Sequence, residues 1–238
     1  MRLALVNACT FPEVTPAALR RIASAISRQG FEHYAGFWQR DGLDLDCFAT
    51  PGDVPAGSSM ILIVDDPDQA GVLGYHTVRP DGRAYAPIFA RPCFEVPGGS
   101  LATGPNALSV TISHEYLETC GDPYATWWAD TDDGEEEALE LCDRVEGDAY
   151  EIDGVSVSNF LGPRAFRPGP GPYDWMQLLR YPWEMRPGGY RIRRKGGPNG
   201  ETRSDFARGF QSWKLGLSRF TAPRGRVRAR GALDVKTP

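Results

Sequence analysis

The chain has 238 residues, with 26 basic and 31 acidic side chains and a net charge of −5. Apolar residues make up 41% and charged residues 24%, which excludes wholesale disorder and a fibrous chain. Glycine and proline together number 47, which argues against a helical bundle and for short elements joined by many turns.

Residues 2–8 read as a buried first strand. Thr15, Pro16 and the apolar spacing of AALRRIASAISRQG predict a helix with an N-cap and a proline in its first turn, ended by Gly30. A short strand is expected at 44–48. MILIV at 60–64 is a continuous apolar run of strand length, which predicts a central strand buried on both faces. Two strands are expected around the Pro80-Asp81-Gly82 turn, at Tyr75–Arg79 and Ala84–Phe89. An apolar helix begins near Asn106, and residues 134–145 predict a shorter acidic helix. Asp153-Gly154 marks a hairpin turn. Residues 167–174 read as a loop, followed by a patch with Trp175, Tyr181 and Trp183, and 188–203 predict one more hairpin. The expected class is α+β, with a domain over 1–165 and a basic, β-rich C-terminal extension over 166–238.

No apolar run approaches the ~18 residues that cross a membrane. The five cysteines are odd in number and widely spaced, without a CxxC pair, so neither a disulfide framework nor a thiolate zinc site is expected. Reduced thiols in a cytoplasmic protein are the expectation. The charge is split. Residues 1–185 carry 12 basic and 28 acidic side chains, and residues 186–238 carry 14 basic and 3 acidic ones. Twelve carboxylates and one base, Arg144, lie between Asp130 and Asp153. The basic segment is expected either to pack on an acidic surface or to meet a polyanion. Arginines 224–230 lack interleaved aromatics, so contact with nucleic acid would run through phosphates.

The segment that carries chemistry is His114-Glu115-Tyr116-Leu117-Glu118. On a helix His114 and Glu118 share a face, and both residue types bind Zn²⁺. Glu115 beside them is the candidate general base toward a metal-activated water. A third ligand is open among Glu137, Glu140 and Asp143. Glu140 is favoured, with Asp143 orienting His114. Such an oxygen-rich site also accepts Mn²⁺ or Ca²⁺. The plain alternative is an amphipathic helix with solvated glutamates. His76, on a strand, is a candidate to reach the cleft and stabilise an oxyanion, beside the plainer reading of a satisfied structural histidine, and Asp65, Asp66 and Asp68 read as a solvated turn ahead of a structural cation site. Cys120 and Cys142 read as packing residues.

HExxE at 114–118, Asp122-Pro123, Trp127 or Trp128, and Glu140-Leu141-Cys142-Asp143 together resemble the zincin-like metalloproteases. The pattern is closest to an uncharacterised HExxE branch in phage and actinobacterial genomes, and is similar to that of the plant EXORDIUM proteins. The resemblance spans roughly 60–165. It implies a twisted mixed sheet over the active-site helix, an antiparallel edge strand lining the cleft, zinc, and a peptide or protein substrate. The second histidine of the usual zinc helix is absent, and no Met-turn follows. A second function class stands beside the peptidase: a non-catalytic virion component with a structural metal. In it the arginine-rich tail of the C-terminal extension would form an assembly arm to other copies or virion proteins, with Trp175–Trp183 at the interface.

Overall fold

The computed structural model describes residues 1–68 and 71–208. Strands β1 (Leu3–Asn7), β2 (Leu45–Phe48) and β3 (Ser59–Val64) run parallel to one another, with β1 in the middle. Strand β4 (Thr77–Val78) pairs antiparallel with β5 (Ala84–Phe89), and β5 continues the parallel set from β3, giving the order β2-β1-β3-β5-β4. The strands alternate sides as the pleat requires. Leu3, Leu5, Ile61, Ile63, Ala86 and Ile88 join the main core, while Ala4, Val6 and Met60 face a smaller cluster with Phe48, Val54, Leu62 and Tyr85. The expectation that β3 is buried on both faces therefore needs correction, because Leu62 and Val64 on the second face are only partly covered.

Helix α1 (Pro16–Arg28) is capped by the Thr15 side chain, which accepts from Ala18 N–H. It buries Leu19, Ile22 and Ile26 in the core. It does not end at Gly30. The backbone continues through a π-helical turn at Gln29–Tyr34 into α2 (Ala35–Trp38). Gly30 serves a close approach instead, since a Cβ there would lie 1.9 Å from the Tyr116 hydroxyl oxygen. After the short α3 (Ala90–Glu95), helix α4 (Leu108–Gly121) crosses the main core. Every α4 residue except Cys120 is buried, so the solvated amphipathic alternative is overturned.

A second sheet has the order β11-β10-β7-β6, from β6 (Trp128–Asp130), β7 (Glu136–Ala138), β10 (Tyr190–Lys195) and β11 (Glu201–Phe206). The acidic helix expected at 134–145 is absent. Its glutamates are helix formers, but cross-strand pairing overrides that preference. Arg194 meets Glu136 at 2.7 Å, Arg193 meets Glu135 at 3.2 Å, and Arg203 lies against Glu135 at 2.6 Å. Most of the basic charge at 186–208 is thus spent on acidic residues of the same chain, with Arg186 on Asp148 and Arg191 on Asp205 as well. Arginines 224–230, and the assembly arm expected there, lie outside the described residues.

The hairpin of β8 (Ala149–Ile152) and β9 (Val155–Ser158) turns at Asp153 and Gly154, whose φ values are +52° and +70°. This is the backbone of a primed two-residue turn. Strand β9 packs on α4, where Ser109 donates to the Ser156 carbonyl and Ser113 accepts from Ser158 N–H. The class is α+β, as expected. The patch read as an interface is largely turned inward. Trp175 stacks on Phe160 and His33, and Trp183 packs edge-on against Phe166, leaving Tyr181 exposed. No helix among the described residues is long and apolar enough to cross a membrane.

Candidate metal centre

The site is assembled by three pieces of backbone around α4. The first is α4 itself, which places His114 and Glu118 one turn apart, with the His114 Nε2 to Glu118 Oε1 distance at 3.3 Å. The second is the edge of the first sheet. Gly74 bridges to Ile88 and Thr77 pairs with Tyr85, so His76 is held between them on an extended segment. Its Nδ1 lies 3.2 Å from Glu118 Oε2 and 3.8 Å from Glu115 Oε2. The third is the turn after β7. It carries Glu140, whose Oε2 lies 3.7 Å from His76 Nε2, and Asp143, whose Oδ1 lies 3.2 Å from His114 Nε2.

Six expected site residues therefore meet: His76, His114, Glu115, Glu118, Glu140 and Asp143. Each is buried. Their partners are not all the expected ones. Glu140 faces His76, not His114, while Asp143 reaches His114. Glu137, a third candidate, is outside the cluster and pairs with Arg144 at 3.0 Å. Asp65 accepts from Thr10, Asp66 pairs with Arg91 at the surface, and Asp68 accepts from the Tyr75 hydroxyl. Burial pushes the Cys142 thiol well up, and its N–H donates to Glu118 Oε1, so this residue packs and orients. Burial also pushes Cys120 up, to about 12. All five cysteines are free thiols.

The electrostatics follow from crowding charge into a dry space. Burial opposes charge on His76, but Glu140, Glu118 and Glu115 outweigh it and push the imidazole up to about 10. His114 likewise rises well above its usual range, because Glu118, Cys142 and Asp143 outweigh its burial. Burial pushes Glu115 and Asp143 up to about 8 each. Glu118 goes the other way: its two imidazole partners overcome burial and hold it well below the carboxylate range. Near neutral pH, without metal, the cluster stores protons on both histidines, on Glu115 and on Asp143.

Two groups have metal-ligand spacing, with donor atoms within 4.8 Å of one another: His76, Glu118 and Glu140, and His114, Glu115 and Glu118. Imidazole nitrogen with carboxylate oxygen suits Zn²⁺ and Mn²⁺. The buried atoms with no hydrogen-bond partner among the described residues include Glu115 Oε2 and His76 Nε2. That is the expected state of donors whose natural partner is a cation. His114 and Glu115 also border a cleft, together with Gly74, Val110, Thr111 and Tyr190.

Tyr190 is the wall residue that sequence reasoning missed. It arrives from the C-terminal hairpin, and its hydroxyl meets Asp143. Only the long-range pairing of β10 with β7 brings it there, and no local pattern signals it. No family model matches the chain, and comparison with curated proteins and with solved structures likewise returns no match.

Proposed function

We propose that this protein is a metal-dependent hydrolase of zincin type, acting on a peptide bond. One observation carries the reading: His114, Glu118 and Asp143 converge on one imidazole nitrogen beside Glu115, whose Oε2 has no hydrogen-bond partner among the described residues, at the wall of a cleft. His114, Glu118 and Asp143 would hold the cation there. When bound, a divalent cation supplies a Lewis acid and lowers the pKa of water.

The chain's own residues supply the rest. Glu115 borders the cleft beside His114, and its carboxylate, freed of its stored proton on metal binding, is placed to accept a proton from water. Cys142 N–H and His76 Nδ1 hold Glu118 in place. Tyr190 stands on the cleft wall, where a phenol can orient a substrate oxygen. The antiparallel segment 74–78 forms one edge of the first sheet, with β2 at the other. An extended peptide can add to such an edge by main-chain hydrogen bonds. A mixed sheet with one antiparallel edge strand over a buried HExxE helix is also the architecture that the zincin resemblance implies.

The test is Glu115→Gln assayed against labelled, unfolded casein. The expected result is a variant that still binds Zn²⁺ or Mn²⁺ but cleaves at a rate lower by at least ~10²-fold. Full activity in the variant, or no cleavage by metal-loaded wild type, would count against the reading.

A further inference from the structure

We infer that the cluster has a second divalent-cation position, formed by His76, Glu118 and Glu140, with Glu118 shared between the two ions. The inference rests on the reading above, in which His114, Glu118 and Asp143 hold the first.

The two histidines belong to different donor groups, and Glu118 is common to both. A single ion with ligands at about 2.0–2.2 Å needs all its donors within roughly 4.4 Å of one another. Glu118 meets that condition by presenting a different oxygen to each ring: Oε1 is 3.3 Å from His114 Nε2, and Oε2 is 3.2 Å from His76 Nδ1. A carboxylate turned this way is set to bridge two ions, which in paired sites lie about 3.5–4 Å apart. The Cys142 N–H donated to Oε1 fixes that orientation.

His76 gives the second, independent sign. Its side chain is 4% exposed, and Nε2 has no hydrogen-bond partner among the described residues. Glu140 Oε2 faces it at 3.7 Å, and His76, Glu118 and Glu140 each offer one donor atom within 4.8 Å of the others, so a cation taken at one ring nitrogen has both carboxylates in reach. One imidazole with two carboxylates is a donor set for Zn²⁺ or Mn²⁺. His76, Glu118 and Glu140 do not border the cleft. The second ion therefore sits behind the first, tying the edge segment 74–78 to α4 and fixing Glu118.

The test is a count of bound cations in full-length, metal-free protein offered Mn²⁺ or Zn²⁺, with electron paramagnetic resonance of the Mn²⁺ form. Wild type is expected to bind two ions per chain and to show a spin-coupled Mn²⁺ pair. His76→Ala, and the nearly isosteric Glu140→Gln, should each bind one ion with an isolated Mn²⁺ spectrum. One ion in wild type, with an isolated spectrum and the same count in both variants, overturns the second position and leaves the first intact. No ion in wild type overturns both.

Discussion

His114 Nε2 lies 3.2 Å from Asp143 Oδ1, and this contact joins the helix that carries the HExxE pattern to a turn that no helical spacing explains. Both side chains are buried, so the contact is a fixed part of the core. Asp143→Asn should therefore weaken Zn²⁺ binding by at least about 10-fold while leaving the fold in place. Calorimetric titration of the metal-free variant reads this directly, and unchanged affinity would remove Asp143 from the site.

The stored protons give a pH dependence. In the metal-free protein His76 is raised from 6.5 to about 10, and Glu115 and Asp143 are raised from 4.5 and 3.8 to about 8. A raised folded-state value means that the folded chain binds more protons than the unfolded chain between the two values, so stability falls as pH rises through that window. Glu118 is lowered, so its contribution is lost only on the acid side. Melting temperature of the metal-free protein should fall from about pH 7 to 10, and saturating Zn²⁺ should flatten the curve, because bound metal replaces the protons. Affinity for the ion should rise with pH over the same range. A metal-free protein whose melting temperature is level from pH 7 to 10 would contradict the proton inventory.

Arg144 and Glu137 form a pair 3.0 Å apart, each side chain 1% exposed. Arg144 also donates to the Ala165 and Glu184 carbonyls and lies over the Phe166 ring. Arg144→Ala leaves buried Glu137 with only the longer Arg191 contact at 3.6 Å and should cost about 3 kcal/mol in urea unfolding. Replacing Arg144 by Met and Glu137 by Leu together should cost less than Arg144→Ala alone. A double variant as unstable as the single one would show that the hydrogen bonds, not the charge pair, hold this region.

Gly30 offers a packing test remote from the metal. Gly30→Ala should destabilise by about 1–3 kcal/mol through collision with Tyr116. Tyr116→Phe removes the nearest atom and should recover part of that loss in chemical denaturation. A neutral Gly30→Ala would mean that the π-helical turn after α1 and helix α4 do not approach as closely as the Gly30–Tyr116 contact requires.

How much of this could be read from residues alone depends on the range of the interactions. The strands at 3–7 and 59–64 and the helices at 16–28 and 108–121 declare themselves, because apolar runs, spacing and, for the first helix, a proline-led N-cap act within a few residues. His114 and Glu118 are legible for the same reason, being one helical turn apart. Glu140 and Asp143 are visible as residue types, but not as partners. Their segment follows a strand held by Arg193 and Arg194, and those arginines lie more than fifty residues on. Gly30 misleads for a related cause: it reads as a stop locally, and only the distant Tyr116 shows why a side chain is excluded. Tyr190 reaches the cleft through the same long-range sheet.

The central claim is that Glu118 anchors a metal centre, and the most direct measurement is Zn²⁺ bound per chain in metal-free wild type and in Glu118→Ala, by titration and elemental analysis. The account predicts tight binding in wild type and loss of it in the variant, because Glu118 touches both histidines. Wild type that takes up neither Zn²⁺ nor Mn²⁺, or a Glu118→Ala variant that binds as wild type does, would contradict it.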